Sequence, residues 1–387
     1  MSRTILNKLL THSFNHYSVL FNELTFHNHN AHHLGSLYLL GASNDQLEKA
    51  YEVMCHPLVP YEISPQKIDS NNWRHFLGNK HCCLSYRDFF YEQLKSNETQ
   101  WKNKFIEFLL DNQQQQPPLI NSVISGLTHP LIHIGYAFEL DNLEVATEAL
   151  TLTAVSYNYL HEYIDTIKPP RSPSKTAFQI FEDIHSDSNF PIYETPGVDN
   201  LESTIKDHSK IIFHHYNQWL INRDNLDLSI EELFDLTVYI YGATHKPNDV
   251  QFDFFLLHLL TSMHAIRIIS PHITDKQICE GLLHQFFFFA IALYVTQLRP
   301  KIDRNLIDNY EVNHDWNYVI DRALNTNLRD DAHAVKVIRA VRDAEQVYGN
   351  KTNFYLKTAV KTVETLNIDD PWIGGSEDKQ QLNILKN

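Results

Sequence analysis

Apolar side chains recur every three or four residues along most of this chain, which is the period of a helix with one buried face. The pattern predicts helices over 31–40, 46–53, 101–110, 143–164, 211–221, 230–241, 252–269, 276–295 and 331–348. Alternation of apolar and polar residues, the mark of half-buried strands, is scarce. Capping residues agree with several of the starts. Ser43 or Asn44 precedes one helix, Ser229 opens SIEEL in a capping-box pattern, and Asp330 or Asp331 precedes the last. The expectation is an all-α fold, a single large helical domain over 1–387. Two stretches break the pattern. QQQQPPL (113–119) is a short polar loop, and 165–200, rich in Pro and Ser from Lys168 onward, is an irregular excursion. Histidine motifs fall on both sides of that excursion, so it is read as a lid or surface segment, not a domain boundary.

Composition narrows the function. The 387 residues include 43% hydrophobic side chains, enough for a substantial core, and only 11 glycines. The net charge of −15 argues against nucleic acid and anionic membranes, both of which select basic surfaces. The four cysteines show no CxxC spacing and read as reduced thiols. The opening MSRTILNKLLTHSFNHY is too polar for a signal peptide. The most apolar stretch, FFFFAIALYV (286–295), has ten residues and is too short to span a bilayer. A soluble, cytoplasmic protein is expected. Oligomeric state is not legible.

The chain carries 23 histidines, and they gather in four places. FHNHNAHHLGSLYLLGAS holds His27, His29, His32 and His33 at a helix start. GLTHPLIHIGYAFEL holds His129 and His133, with Pro130 suited to a first helical turn. FDFFLLHLLTSMHAIR holds His258 and His264, and RDDAHAVKVIRA holds His333 and Lys336. A histidine on an apolar helix face is more often a hydrogen-bonded core residue than a ligand. His258 lies on a helix that is hydrophobic nearly all round, so its ring must be paired or bound. His264 is six residues on and points elsewhere.

At about 100° per residue, His333 falls among Val337, Ala340, Val341 and Ala344, with Arg339, Arg342 and Glu345 on other sides. Lys336 sits at the edge of that apolar stripe, one turn from His333. One reading is a lysine that snorkels to solvent. The other is a neutral amine doing chemistry as base, nucleophile or carbamate. Dinucleotide, phosphate-loop, HExxH and GxSxG fingerprints are absent.

Together the four motifs, in order and spacing, resemble the questin oxidase-like family from about residue 25 to 345. The resemblance implies a helical oxidoreductase of polyketide chemistry, in which some members are Baeyer–Villiger-type oxidases. One branch looks like a non-haem iron oxygenase whose metal is held by four histidines and a carboxylated lysine. Carried over motif by motif, this implies a metal site buried between helices, with His29, His129, His258, His333 and the carbamate of Lys336 as ligands. His32 and His133 are the rivals within the first two motifs, and are ranked as pocket lining. His133, Tyr136 and Arg267 are the implied catalytic or substrate-orienting residues, and Asp253, Asp330 and Asp331 are candidates to orient the imidazoles. Phe254, Phe255, Phe286 and Phe287 offer an apolar lining, although such residues are more often plain core. Such a mixed N/O set suits Fe(II), with Mn or Zn as substitutes. The co-substrate would be O2, and the substrate a small hydrophobic aromatic molecule. A metal-free NAD(P)H-dependent Baeyer–Villiger-type oxidase, a non-enzymatic helical ligand-binding protein and a metal hydrolase are the alternatives.

Overall fold

The computed structural model describes residues 3–96, 98–111, 118–369 and 371–374. The predicted loop at 113–119 lies largely outside them. The fold is all-α, as the periodicity predicts, and the strands among the described residues are two-residue pairs. The chain forms two compact units. One is Met1–Ile167 with Ala265–Asp275, and the other is Lys168–His264 with Lys276–Asn387.

In the first unit, helix His129–Glu139 packs against Leu143–Val155, which in turn packs on Cys83–Lys95. Helix Asn30–Leu40 lies against Asn44–Cys55 and His129–Glu139. Ser43 caps Asn44–Cys55 in a full capping box with Gln46. Trp101–Leu110 runs between the predicted residues. The helix predicted over 143–164 stops at Val155, with the cap at Ser156, and a four-residue helix follows at His161–Ile164. Two glycines set close approaches. A Cβ on Gly35 would stand 2.8 Å from the Tyr136 ring. One on Gly135 would stand 2.7 Å from the Ala265 Cβ and 2.8 Å from its Cα. Backbone cannot yield there as a side-chain tip can. Gly135→Ala is therefore expected to cost about 1–3 kcal/mol of stability, read as a lower urea midpoint at unchanged slope.

In the second unit, Lys276–Thr296 is the central helix, packed on Leu201–Tyr216. It is long and apolar enough to cross a membrane, but 83% of its most apolar window is buried within the protein, as befits a core helix. Ala332–Tyr348 packs on Phe354–Thr365. Three sequence expectations are corrected here. Ser229 does not cap a helix; Leu226–Gly242 starts earlier on Asn225, and Ser229 Oγ accepts from the Asn222 amide at 2.8 Å. The excursion at 165–200 contains a regular helix, Ala177–Ser186, capped by Thr176 and Gln179. Phe252 and Asp253, predicted helical, form a short parallel strand with Trp372–Ile373, and the helix begins at Leu257.

Candidate active site

The first unit gathers its histidines around two helix starts. His29 is the N-cap of Asn30–Leu40, with φ −98° and no side-chain cap bond, and its ring packs edge-on against His32 at 5.3 Å. His129 is the first residue of His129–Glu139, with Pro130 in the first turn as predicted. His29 Nδ1 meets the His27 carbonyl at 2.6 Å, and His129 Nδ1 meets the Gly126 carbonyl at 2.8 Å. A carbonyl only accepts, so both rings carry their proton on Nδ1. Their Nε2 atoms then face each other at 3.1 Å. Two neutral imidazoles in that tautomer would oppose lone pair to lone pair, an arrangement that only a cation or a shared proton makes favourable.

His27 contributes more than its carbonyl. Its ring stacks on His129, with centroids 4.0 Å apart and planes 4° from parallel. A Cβ on Gly126, which sits at φ +55°, would stand 3.1 Å from His27 Nε2. That conformation favours glycine.

The second histidine of each motif forms a separate chain. His32 Nε2 lies 3.0 Å from His133 Nδ1, and His133 Nε2 lies 3.2 Å from Glu148 Oε2. All three are buried. Both ring nitrogens of His133 are thus engaged within the protein. Tyr136 stacks on His32 at 5.2 Å and shares a 2.6 Å hydrogen bond with Ser36 Oγ. Arg267 is half-buried in the last turn of Leu257–Ile269.

In the second unit His258 repeats the pattern. Its Nδ1 meets the Phe254 carbonyl at 2.8 Å, which again places the proton on Nδ1 and the lone pair on Nε2. The His333 ring lies 5.4 Å from that of His258, and Phe254 packs edge-on against both, at 5.0 and 4.7 Å. Lys336 is 0% exposed, which excludes the snorkelling reading. The helix is buried nearly all round, not along one stripe. Arg339, expected on a polar side, is buried and pairs with Asp343 at 3.3 Å, whose other oxygen is 3.6 Å from His264 Nδ1.

The aspartates expected to orient the imidazoles do other work. Asp253 Oδ1 accepts from the Phe255 and Leu256 amides at 2.8 Å each, and burial pushes its carboxyl up to about 7. Asp330 pairs with Arg329. Asp331 caps its helix through the His333 and Ala334 amides and accepts from Trp372 Nε1 at 3.0 Å, leaving its carboxylate 4.0 Å from His333 Nδ1. Main-chain carbonyls orient His29, His129 and His258 instead. Of the phenylalanines, Phe287 is core, packed on Trp219 and Phe181.

In this all-α chain the imidazoles of His29, His129 and His258 are pinned through Nδ1 to main-chain carbonyls. The profile described as questin oxidase-like matches residues 26–341, and the chain belongs to that family. Among its relatives, the oxidoreductase AflY of Aspergillus parasiticus is 27% identical, over 92% of this chain and 78% of its own. The Baeyer–Villiger oxidase mdpL of Emericella nidulans is 22% identical, over 96% and 90%. The questin oxidase of Aspergillus terreus is 21% identical, over 88% and 80%.

Proposed function

We propose that this chain is an oxidoreductase that uses dioxygen on a small hydrophobic aromatic or polyketide-like substrate, acting as one catalytic module in the cytoplasm. The relatives' names support the class of reaction. His29, His129, His258, His333 and Lys336, the last as a carbamate, would hold a non-haem metal. The observation that carries this reading is the His29–His129 pair, with its two Nδ1 protons fixed by carbonyls and its Nε2 atoms 3.1 Å apart. His258 is held in the same tautomer. Ligating histidines are typically oriented this way through the nitrogen remote from the metal. Four imidazoles and one anionic oxygen suit iron, with manganese or zinc as substitutes. Bound iron supplies the one-electron chemistry that activates dioxygen.

The remaining roles belong to the chain. Lys336 Nζ, as the neutral amine, would add carbon dioxide and release one proton, becoming an anionic carbamate. Phe254 walls His258 and His333 and keeps water from that side. Tyr136, fixed by Ser36 and by the close approach of Gly35, offers a hydroxyl to orient a polar group of the substrate, and Arg267 a positive charge. Elemental analysis of protein purified without a histidine tag should find iron in proportion to activity. Activity that survives exhaustive chelation and needs only NADPH would overturn the reading.

A further inference from the structure

The hydrogen-bonded chain Glu148–His133–His32 has a direction, and the carboxylate sets it. An ionised carboxylate accepts only, so the His133 nitrogen facing Glu148 Oε2 at 3.2 Å, Nε2, carries a proton. In neutral His133 the other nitrogen, Nδ1, is then a lone pair. It faces His32 Nε2 at 3.0 Å, so that atom must be the donor. His32 is left with Nδ1 as its acceptor nitrogen. This is the opposite tautomer to that of His29 and His129, whose Nδ1 protons point at carbonyls. Burial makes the assignment stringent. His32 is 0% exposed, His133 1% and Glu148 5%, so with Glu148 ionised a reversed chain would set two acceptors, the carboxylate oxygen and His133 Nε2, together away from water.

We propose that Glu148 is a positioning residue which, through His133, holds His32 as the Nε2–H tautomer, making Nδ1 its hydrogen-bond acceptor. His133, engaged on both sides, transmits the setting and does not itself meet substrate. His32 stacks on Tyr136 with ring centroids 5.2 Å apart, so the tautomer decides which nitrogen of a ring packed on Tyr136 accepts. Such a pair selects substrates carrying a hydroxyl donor next to an oxygen acceptor, as hydroxylated aromatic ketones do. That consequence rests on the proposed function; the tautomer does not.

The two are separated by reading the nitrogens directly. In the full chain labelled with 15N-histidine, long-range proton–nitrogen correlation distinguishes the tautomers, with His32→Asn and His133→Asn supplying assignments. Wild-type protein should show Nε2–H patterns at both positions, with or without metal. Glu148→Gln, whose amide oxygen still accepts, should retain them. Glu148→Met, similar in size and without a strong acceptor, should lose the fixed pattern and lower kcat about 10–100-fold. An Nδ1–H pattern at His32 in the wild type, or unchanged tautomers in Glu148→Met, would overturn the proposal. Loss of the pattern in Glu148→Met with no effect on activity would leave the tautomer standing and strike its part in substrate selection, whereas the proposed function fails separately, on iron content.

Discussion

Replacing Lys336 by alanine should strip the protein of metal and activity together, with activity falling by more than about 100-fold, beyond the range of an outer-sphere change. Complete burial at 0% exposure makes the residue informative. A buried ammonium carries a desolvation cost of several kcal/mol, whereas a carbamate on a metal converts that cost into a ligand bond. Alanine removes packing as well as chemistry, so Lys336→Met is the companion variant. It keeps the volume and should fold as well as wild type while remaining metal-poor. Acetate or formate, small enough for the space that alanine leaves, should restore part of the metal and activity in Lys336→Ala but none in Lys336→Met. Full metal content in both variants, measured by elemental analysis, would sink the carbamate.

The second large effect concerns the facing imidazoles. His29→Ala and His129→Ala should each abolish high-affinity metal binding, and the double variant should be no worse than either, because the residues act as a unit. Stability should respond differently with and without metal. Metal-loaded wild type gains by mass action what the variants cannot. Without metal, each single variant removes one of two opposed lone pairs 3.1 Å apart, and should lose less stability than an imidazole truncated at an ordinary buried site. Additive metal-binding losses in a calorimetric titration would show that the two rings serve different sites.

The sequence carried the helices whose burial follows a simple stripe, such as Trp101–Leu110, and the capping box at Ser43. It misled where two signals competed. SIEEL has the letters of a cap, but the apolar face continues back to Leu226, and Asn225 captures the start. At 143–164 the period continues past Ser156 although the helix does not. Trp316–Asn325 went unread although its buried residues, Val319, Ala323 and Leu324, follow helical spacing. The histidine motifs and Lys336 were visible as chemistry in the wrong place for a core. Glu148 was not. It lies fifteen residues from His133, on the next helix, within LEVATEALTLTAV, where either glutamate reads as a solvated position until packing turns Glu148 inward. His27 stood in the first motif, but its contribution, a carbonyl and a stacked ring, was not legible there.

The carbonyls of His27, Gly126 and Phe254 are the acceptors that orient His29, His129 and His258. Every amino acid supplies that oxygen. No substitution at those three positions can delete the acceptor itself; only a change in the course of the chain can move it. The orientation of these rings is therefore inherited through backbone path, and a chain of this kind can change its outer residues widely while keeping its imidazoles aimed. Side-chain exchange at His27 or Phe254 leaves the orienting oxygen in place, whereas a one-residue insertion ahead of either helix start, a change of path with no change of chemistry, should disable the site.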